Sequence, residues 1–209
     1  MTTALSLRTR GRLAGAAHLA IFITGLIYMH FIPDTGVLTT DWGGVVDHIV
    51  ANQSAFWLGF PFFLLSIVWR LVFAQLFYGL FRDVPVALNR LGVFVYLVGA
   101  TMQVVMAICL MAPVVLVDGA EYRAAFTPGG IYSVLIGCIM WRSSLVPRAV
   151  GVCLVVSGLG WLTFCVPPIA ALLLPYNLSV GLAGEATIML WLLIMGVSAP
   201  NTSSWIKAE

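Results

Sequence analysis

The chain has 209 residues, of which 61% are apolar and only 9% are charged, whereas about a quarter of the residues in an ordinary soluble domain are charged. A chain of this size leaves roughly a third of its unfolded surface exposed after folding, so this composition excludes water as its main solvent and predicts a membrane protein. The net charge is only +2 and the sequence has no run of basic residues, which argues against nucleic acid as a partner.

Six apolar stretches are candidates for crossing the membrane, since a spanning helix needs about 20 predominantly apolar residues. The second and third stretches are long enough to tilt, whereas the fourth is short. No soluble domain or linker separates them. We therefore expect one domain with an all-α fold, a polytopic transmembrane bundle of about six helices over residues 13–31, 55–81, 91–117, 131–145, 149–166 and 178–197.

The basic residues predict the orientation of this bundle, because Lys and Arg accumulate in the cytoplasmic segments of membrane proteins. With the N-terminus in the cytoplasm, eight of the ten Lys and Arg residues fall on the cytoplasmic side. We therefore expect both termini to be cytoplasmic. The eight residues are Arg8, Arg10, Arg12, Arg82, Arg90, Arg142, Arg148 and Lys207.

Several stretches along most of the chain resemble a known family. They are RLAG (12–15), NQSAFWLGF (52–60), GAEYRAAF (119–126), WRSSLVPRAVGV (141–152), GLGWL (158–162) and GEATIMLWLLIMGV (184–197). These stretches are similar to the bacterial membrane family described as domain of unknown function 4386. The resemblance implies a multi-pass protein of the cell (inner) membrane whose last helix begins near a Glu, and it implies no established activity.

Glu185 is the first candidate for chemistry, because an ionisable side chain at bilayer depth costs roughly 2.5 to 3.5 kcal/mol on insertion scales. It lies about two turns into the last helix beside the small residues Ala183, Gly184 and Ala186. Burial there favours the protonated acid, which is the state that a general acid needs. The alternative is a structural role, in which the protonated Glu only links two helices by a hydrogen bond.

Arg70 is the second candidate. It lies about 11 residues, or roughly 16 Å, from the cytoplasmic end of its helix, which makes contact with water by snorkelling difficult. It therefore needs a buried acceptor, such as Gln103, the carbonyl groups of a broken helix, or Glu185. Arg70 is then either a hydrogen-bonding hub or a site for an anion or a substrate head group. His18 also lies toward the cytoplasmic side, and we expect it to pack against other helices, because a lone histidine on a helix is more often packed than a ligand.

Asp47, His48 and Asn52 form a third group, which a helical arrangement brings to the entrance of the second helix. A carboxylate beside an imidazole can transfer protons, and the alternative is a pair of solvated loop residues. Trp57 and Trp161 fall within helices, where their π-faces could shelter a cation in a dry pocket, although lipid-facing rings are the plainer interpretation.

The sequence offers no metal or cofactor motif. It has no P-loop, GxGxxG or GxSxG, and its three histidines are widely separated with no HxxxH pair. We therefore expect neither a metal nor another cofactor.

Three classes of function remain. We favour a membrane-embedded enzyme in which Glu185 protonates a lipophilic substrate, such as an isoprenoid, in a reaction like those of membrane terpene cyclases, which are isomerases or lyases. The partners would be this lipophilic small molecule and membrane lipid, and the oligomeric state is left open. The alternatives are a small proton-coupled transporter and a non-catalytic structural or sensory membrane protein.

Overall fold

The computed structural model describes residues 6–31, 49, 51–81, 85–111 and 120–197, except for the side chains of residues 106–111, 120–126 and 167. Every regular element within these ranges is helical, so the predicted all-α bundle is confirmed. The elements are α1 (Leu7–Phe31), α2 (Gln53–Leu80), α3 (Val86–Met111), α4 (Ala120–Arg142), α5 (Arg148–Leu162), a 3₁₀ turn (Thr163–Cys165), α6 (Pro167–Leu173) and α7 (Tyr176–Ile194).

Five of the described helices are long and apolar enough to cross a membrane, namely α1, α2, α3, α5 with the turn that follows it, and α7. Helix α4 is less apolar because it carries Glu121, Arg123 and Arg142 near its ends. Its 23 residues nevertheless extend about 34 Å, which exceeds the hydrocarbon thickness of about 30 Å. The chain is therefore a multi-pass membrane protein.

Helix α4 differs most from its prediction. We expected it to begin at Ile131, because Pro128, Gly129 and Gly130 resemble a turn, but it begins at Ala120. Pro128 is buried against α3, where a Cβ added at Gly99 would lie 3.0 Å from the Pro128 Cβ. A membrane helix tolerates a proline when neighbouring helices surround it, so packing keeps α4 continuous where its local sequence suggests a break.

Residues 167–177 lie between the fifth and sixth predicted spans, and most of this connection is helix α6. Asn177 is buried at the start of α7 and ties this connection together. Its Nδ2 donates to Thr163 Oγ1 at 3.0 Å and to the Ala170 carbonyl at 3.4 Å. The connection therefore packs against the end of α5 and the start of α7.

The six long helices of the described chain form a ring. Helix α1 packs against α2, and the ring continues through α3, α4, α5 and α7 back to α1. Arg12 Nη2 donates to the Ile194 carbonyl at 2.9 Å, and Arg8 Nε donates to the Met195 carbonyl at 3.3 Å. The start of α1 and the end of α7 thus lie at one end of the bundle. Which end faces the cytoplasm stays a prediction.

Helices α4 and α5 approach closely at two pairs of glycines, Gly130 with Gly158 and Gly137 with Gly151. A Cβ added at Gly137 would lie 2.6 Å from the Gly151 carbonyl oxygen, and a Cβ added at Gly151 would lie 2.7 Å from the Gly137 carbonyl oxygen. Lipid removes the hydrophobic driving force between membrane helices, so close backbone packing at small residues is a main source of their association. This crossing fixes α4 against α5.

The interior of the ring near the start of α1 and the end of α7 is filled by large side chains, which we call the apolar core. Phe77 and Phe81 stack with their ring centroids 4.4 Å apart. The apolar core comprises Phe73, Phe77, Phe81, Ile136, Ile139, Met140, Ile188 and Leu192, all less than 2% exposed. This half of the bundle is therefore closely packed up to the level of Phe73.

Candidate functional site

The buried stripes of α1 and α2 each contain one ionisable side chain. In α2 the buried residues Ser66 and Phe73 are seven positions apart, and Arg70 lies between them on the same face. In α1 His18 is 6% exposed and lies one turn from Ala14 on the same buried stripe. Both side chains therefore face the inside of the ring, where an apolar residue would otherwise be expected.

Glu185 joins His18 from the opposite side of the α1–α7 contact. His18 Nε2 lies 3.0 Å from Glu185 Oε2, and Ser133 Oγ of α4 donates to Glu185 Oε1 at 2.9 Å. Gly184 determines the position of this carboxyl group, because a Cβ added there would lie 2.6 Å from the Cys153 carbonyl oxygen of α5. Three helices, α1, α4 and α7, thus meet at one carboxyl group.

Arg70 and two tyrosines complete this level of the bundle. The rings of Tyr96 in α3 and Tyr132 in α4 have centroids only 4.1 Å apart. The Arg70 guanidinium interacts with the Tyr96 hydroxyl and lies within electrostatic range of Tyr132 and Glu185. We call His18, Arg70, Tyr96, Tyr132, Ser133 and Glu185 the polar layer.

The polar layer lies near the middle of the bundle. Glu185 is nine residues from Tyr176 and nine from Ile194, the two ends of α7, or about 14 Å from each. His18 lies in the central third of α1. The layer is therefore near the depth at which a membrane is least polar, and its groups must satisfy one another or a bound molecule.

Aromatic rings hold the imidazole in this layer. The His18 ring centroid is 4.8 Å from that of Phe73 in an edge-on arrangement and 5.6 Å from that of Phe22. Because the rings restrict the imidazole on two sides and Glu185 engages Nε2, its orientation is fixed. The Nδ1 atom is consequently the nitrogen that another group could approach.

Three atoms of the polar layer are buried without a hydrogen-bond partner among the described residues: His18 Nδ1, Arg70 Nε and Tyr132 OH. A fourth such atom, Asn89 Oδ1, lies apart from the layer, near the end of α2, where Asn89 Nδ2 donates to the carbonyls of Tyr78 and Phe81. An unsatisfied buried polar group costs about 1 to 3 kcal/mol. A molecule bound at this level could engage all three atoms.

The layer can hold and move a proton. Glu185 Oε2 and His18 Nε2 are within direct transfer distance, and imidazole can accept a proton at one nitrogen while releasing another from the second. The hydroxyl of Ser133 holds the other carboxyl oxygen in place. The arrangement resembles the carboxylate–imidazole pairs in which a carboxylate orients a catalytic histidine.

Two of the residues singled out from the sequence, Glu185 and Arg70, lie in the polar layer. A third, Trp161, lies outside the layer and contacts α7 about one turn before Glu185. Its indole packs on α7, where a Cβ added at Gly181 would lie 2.8 Å from Trp161 Cε2. Trp161 thus borders the layer from the side opposite the apolar core.

The other predicted site residues lie elsewhere. Gln103 is half-buried in α3, seven residues or about 10 Å beyond Tyr96. Asn52 is exposed just before α2, and Trp57 is 52% exposed in its first turns, 13 residues from Arg70. The structure does not bring these three side chains to Glu185. Asp47 and His48 fall outside the described residues.

The site residues predicted from the sequence did not include His18, Tyr96, Tyr132 or Ser133. The position of His18 in the buried stripe of α1 is a signal that could have selected it, just as depth selected Arg70. Ser133 and the tyrosines carry no such signal, because serine and tyrosine are ordinary residues of membrane helices.

Within the described part of the chain, no group of three His, Cys, Asp or Glu residues is placed to hold a metal ion. The polar layer contributes only His18 and Glu185 of these residue types.

Comparison with curated proteins and with solved structures gave no significant match. A family model described as a domain of unknown function, DUF4386, matches residues 13–130. The matched part contains His18, Arg70 and Tyr96, whereas Tyr132, Ser133 and Glu185 lie beyond it. Because the match covers more than half of the 209 residues, the chain belongs to the DUF4386 family.

Proposed function

We propose that the protein is a membrane-embedded enzyme that passes a proton to and from a lipophilic substrate, such as an isoprenoid, through Glu185 and His18. The observation that carries this proposal is the 3.0 Å contact between Glu185 Oε2 and His18 Nε2 at the middle of the bundle. A pair of titratable groups at this depth is costly, and a functional role is the default interpretation of such a group.

In the proposed reaction Glu185 is the source of the proton and His18 delivers it. Oε2 gives its proton to Nε2, and the imidazole releases the Nδ1 proton to a carbon of a substrate double bond. The π electrons form the new C–H bond, which leaves a carbocation. Loss of a proton from a neighbouring carbon to Nδ1 restores a double bond, and return of the Nε2 proton to Glu185 Oε2 restores the resting enzyme. The product is an isomer of the substrate, either rearranged or cyclised.

The aromatic side chains around the polar layer support this chemistry. Phe22 and Phe73 flank His18, and Tyr96 and Tyr132 lie together on the other side of Phe73. The negative faces of such rings stabilise a cation by about 2 kcal/mol or more when water is excluded. A proton-initiated isomerase or cyclase needs this shelter because the carbocation must not react with water.

The proposal also assigns a location. The protein would lie in the cell membrane with both termini in the cytoplasm, as the distribution of basic residues predicts. Its substrate would enter the polar layer from the lipid phase, which is where an isoprenoid-like molecule dissolves.

Deuterium incorporation tests the proposal whatever the identity of the substrate. Purified protein is reconstituted in vesicles made from the lipids of the organism that encodes it, and the vesicles are incubated in D₂O. The test requires that the protons on Glu185 and His18 exchange with D₂O between turnovers. Each turnover of the exchanged enzyme then places one deuterium on carbon, so mass spectrometry should detect a lipid that is one mass unit heavier and does not lose the label in H₂O. Glu185→Gln preserves the shape of the side chain but cannot donate the proton, and it should reduce the labelling about 10²- to 10⁴-fold.

The matched control is a pair of histidine substitutions in α1. His18→Gln should abolish the labelling, whereas His30→Gln changes an exposed histidine at the end of the same helix and should leave it intact. Equal labelling by wild type and Glu185→Gln would contradict the enzyme proposal and leave the pair with a structural role.

A further inference from the structure

We propose that the polar layer binds the carboxylate head group of a lipophilic acid, with Arg70 Nε and Tyr132 OH donating hydrogen bonds to its oxygens. This inference rests on the proposed function, because it names the chemical class of the substrate that Glu185 and His18 act on. The three unpartnered buried atoms of the layer are the groups that such a ligand would engage.

The charge of Arg70 favours an anion. A guanidinium stays charged in proteins. Arg70 is half-buried with its Nε fully enclosed, and a charge held inside the bundle requires a partner of opposite charge. Among the described residues, the ion pair of the layer joins Glu185 to His18 and not to Arg70. When Glu185 and His18 hold the proton that the proposed reaction needs, the pair is neutral overall. Arg70 is then the unbalanced charge of the layer, and one negative charge balances it.

Hydrogen-bonding chemistry favours a carboxylate within the class of anions. Arg70 Nε–H and the Tyr132 hydroxyl are donors, and a carboxylate offers two acceptor oxygens that suit a guanidinium on one side and a neutral donor on the other. A phosphate monoester would bring about two negative charges to a layer with one guanidinium. A neutral alcohol would leave the charge of Arg70 unbalanced.

Packing determines the direction of the lipophilic tail. The apolar core fills the half of the bundle that lies beyond Phe73, so the tail leaves the layer toward the end of α1 and the start of α2. Aromatic rings line that direction: Phe63 lies 5.1 Å from Tyr28 and 6.1 Å from Phe60, measured between ring centroids. The proposed ligand would place an apolar, unsaturated tail alongside these rings.

Binding of three 16-carbon probes tests the inference: hexadecanoate, hexadecanol and hexadecyl phosphate. The thermal midpoint of unfolding of the intact protein in a mild detergent is followed at increasing probe concentration, and each Kd is derived from it. Hexadecanoate should bind at least tenfold more tightly than the other two. Equal binding of hexadecanol would overturn the carboxylate assignment, and so would tighter binding of hexadecyl phosphate.

Substitutions locate the site. Arg70→Gln and Tyr132→Phe should each weaken hexadecanoate binding about tenfold or more while leaving hexadecanol binding unchanged. Arg90→Gln and Tyr176→Phe make the same changes at exposed positions and should have no effect. If Arg70→Gln fails to fold, Arg70→Lys replaces it, since a lysine retains the charge without the Nε donor and should still weaken binding. Unchanged binding in Tyr132→Phe and in the Arg70 variant would overturn the proposal.

The failures of the two proposals can be distinguished. If hexadecanoate binds specifically through Arg70 but no deuterium is incorporated, the acid-binding site is supported and the enzyme proposal is contradicted. If deuterium incorporation depends on Glu185 but hexadecanoate binds no better than the other probes, the enzyme proposal is supported and the acid-binding site is contradicted.

Discussion

The apolar core and the polar layer are adjacent levels of the same ring of helices, and different interactions stabilise them. In the apolar core, large side chains such as Phe77 and Ile139 each contact many neighbours, and both are fully buried. In the polar layer, Glu185 depends on two particular partners, His18 and Ser133. Truncating one core side chain therefore removes many weak contacts at once. Removing one polar partner instead leaves a particular buried atom without its hydrogen bond.

The apolar core is therefore expected to determine stability, and the polar layer is expected to determine the proposed function. Dispersion contacts in the core are numerous and tolerant of shape-preserving change, so the core holds the helices in place. The polar layer contributes less to the net free energy of unfolding, because a hydrogen bond between membrane helices contributes only about 0.6 kcal/mol on average. Substitutions in the core should therefore alter stability most, and substitutions in the layer should alter proton transfer and ligand binding most.

The largest effect on stability is expected for Phe77→Ala. The ring is fully buried and stacks on Phe81, so truncation removes packing contacts and leaves a cavity that costs about 3 kcal/mol. Phe94→Ala is the control, because Phe94 is 64% exposed on α3 and should face lipid. Unfolding in detergent mixtures measures both changes. Equal losses for the two variants would contradict the assignment of the apolar core.

A smaller loss is expected for Gly137→Ala. The new methyl group would meet the Gly151 carbonyl oxygen at 2.6 Å, and a backbone atom cannot move aside as a side chain can. The resulting separation of α4 and α5 should cost about 1 to 3 kcal/mol in the free energy of unfolding. Gly79→Ala is the control, since a Cβ there has no neighbour within 4 Å. That variant should be neutral or slightly stabilised by the better helix propensity of Ala, and a loss as large as that of Gly137→Ala would argue against the close crossing.

The smallest loss is expected for Ser133→Ala, which removes one hydrogen bond to Glu185 Oε1 and should cost about 1 kcal/mol. The same substitution at Ser179, which is exposed on α7, should change the free energy of unfolding by less than this. Deuterium incorporation should fall in Ser133→Ala alone, because the carboxyl group loses its alignment. Normal incorporation in this variant would show that Ser133 does not position Glu185.

Most of the fold could be predicted from the sequence, because an apolar stretch of membrane-spanning length has few alternatives to a helix. The start of α4 could not be predicted in the same way. Pro128 and the two following glycines favour a turn locally, and only the burial of Pro128 against Gly99 of α3 keeps the helix continuous. The helix α6 was likewise hidden by Pro167 and Pro168, which begin the helix rather than prevent it.

The site could be predicted only in part. Glu185 and Arg70 were identified because ionisable residues are rare at bilayer depth. His18 was assigned to packing because a lone histidine on a helix is more often packed than a ligand. Its partner lies 167 residues away in the sequence, and no local pattern shows that α1 and α7 are neighbours. Periodicity can show that a side chain faces inward, but it cannot show which polar groups from other helices lie at the same depth.

A double-mutant cycle between His18 and Glu185 tests the central claim most directly. His18→Ala, Glu185→Ala and the double variant are unfolded in the same detergent mixture as the wild type. The coupling free energy is the difference between the change in unfolding free energy of the double variant and the sum of the changes in the two single variants. The 3.0 Å contact predicts a favourable coupling of about 1 to 2 kcal/mol. The cycle between His30 and Glu185 should give a coupling near zero, because His30 lies at the far end of α1. A coupling near zero for His18 and Glu185 as well would contradict the claim that they form the proton-transfer pair.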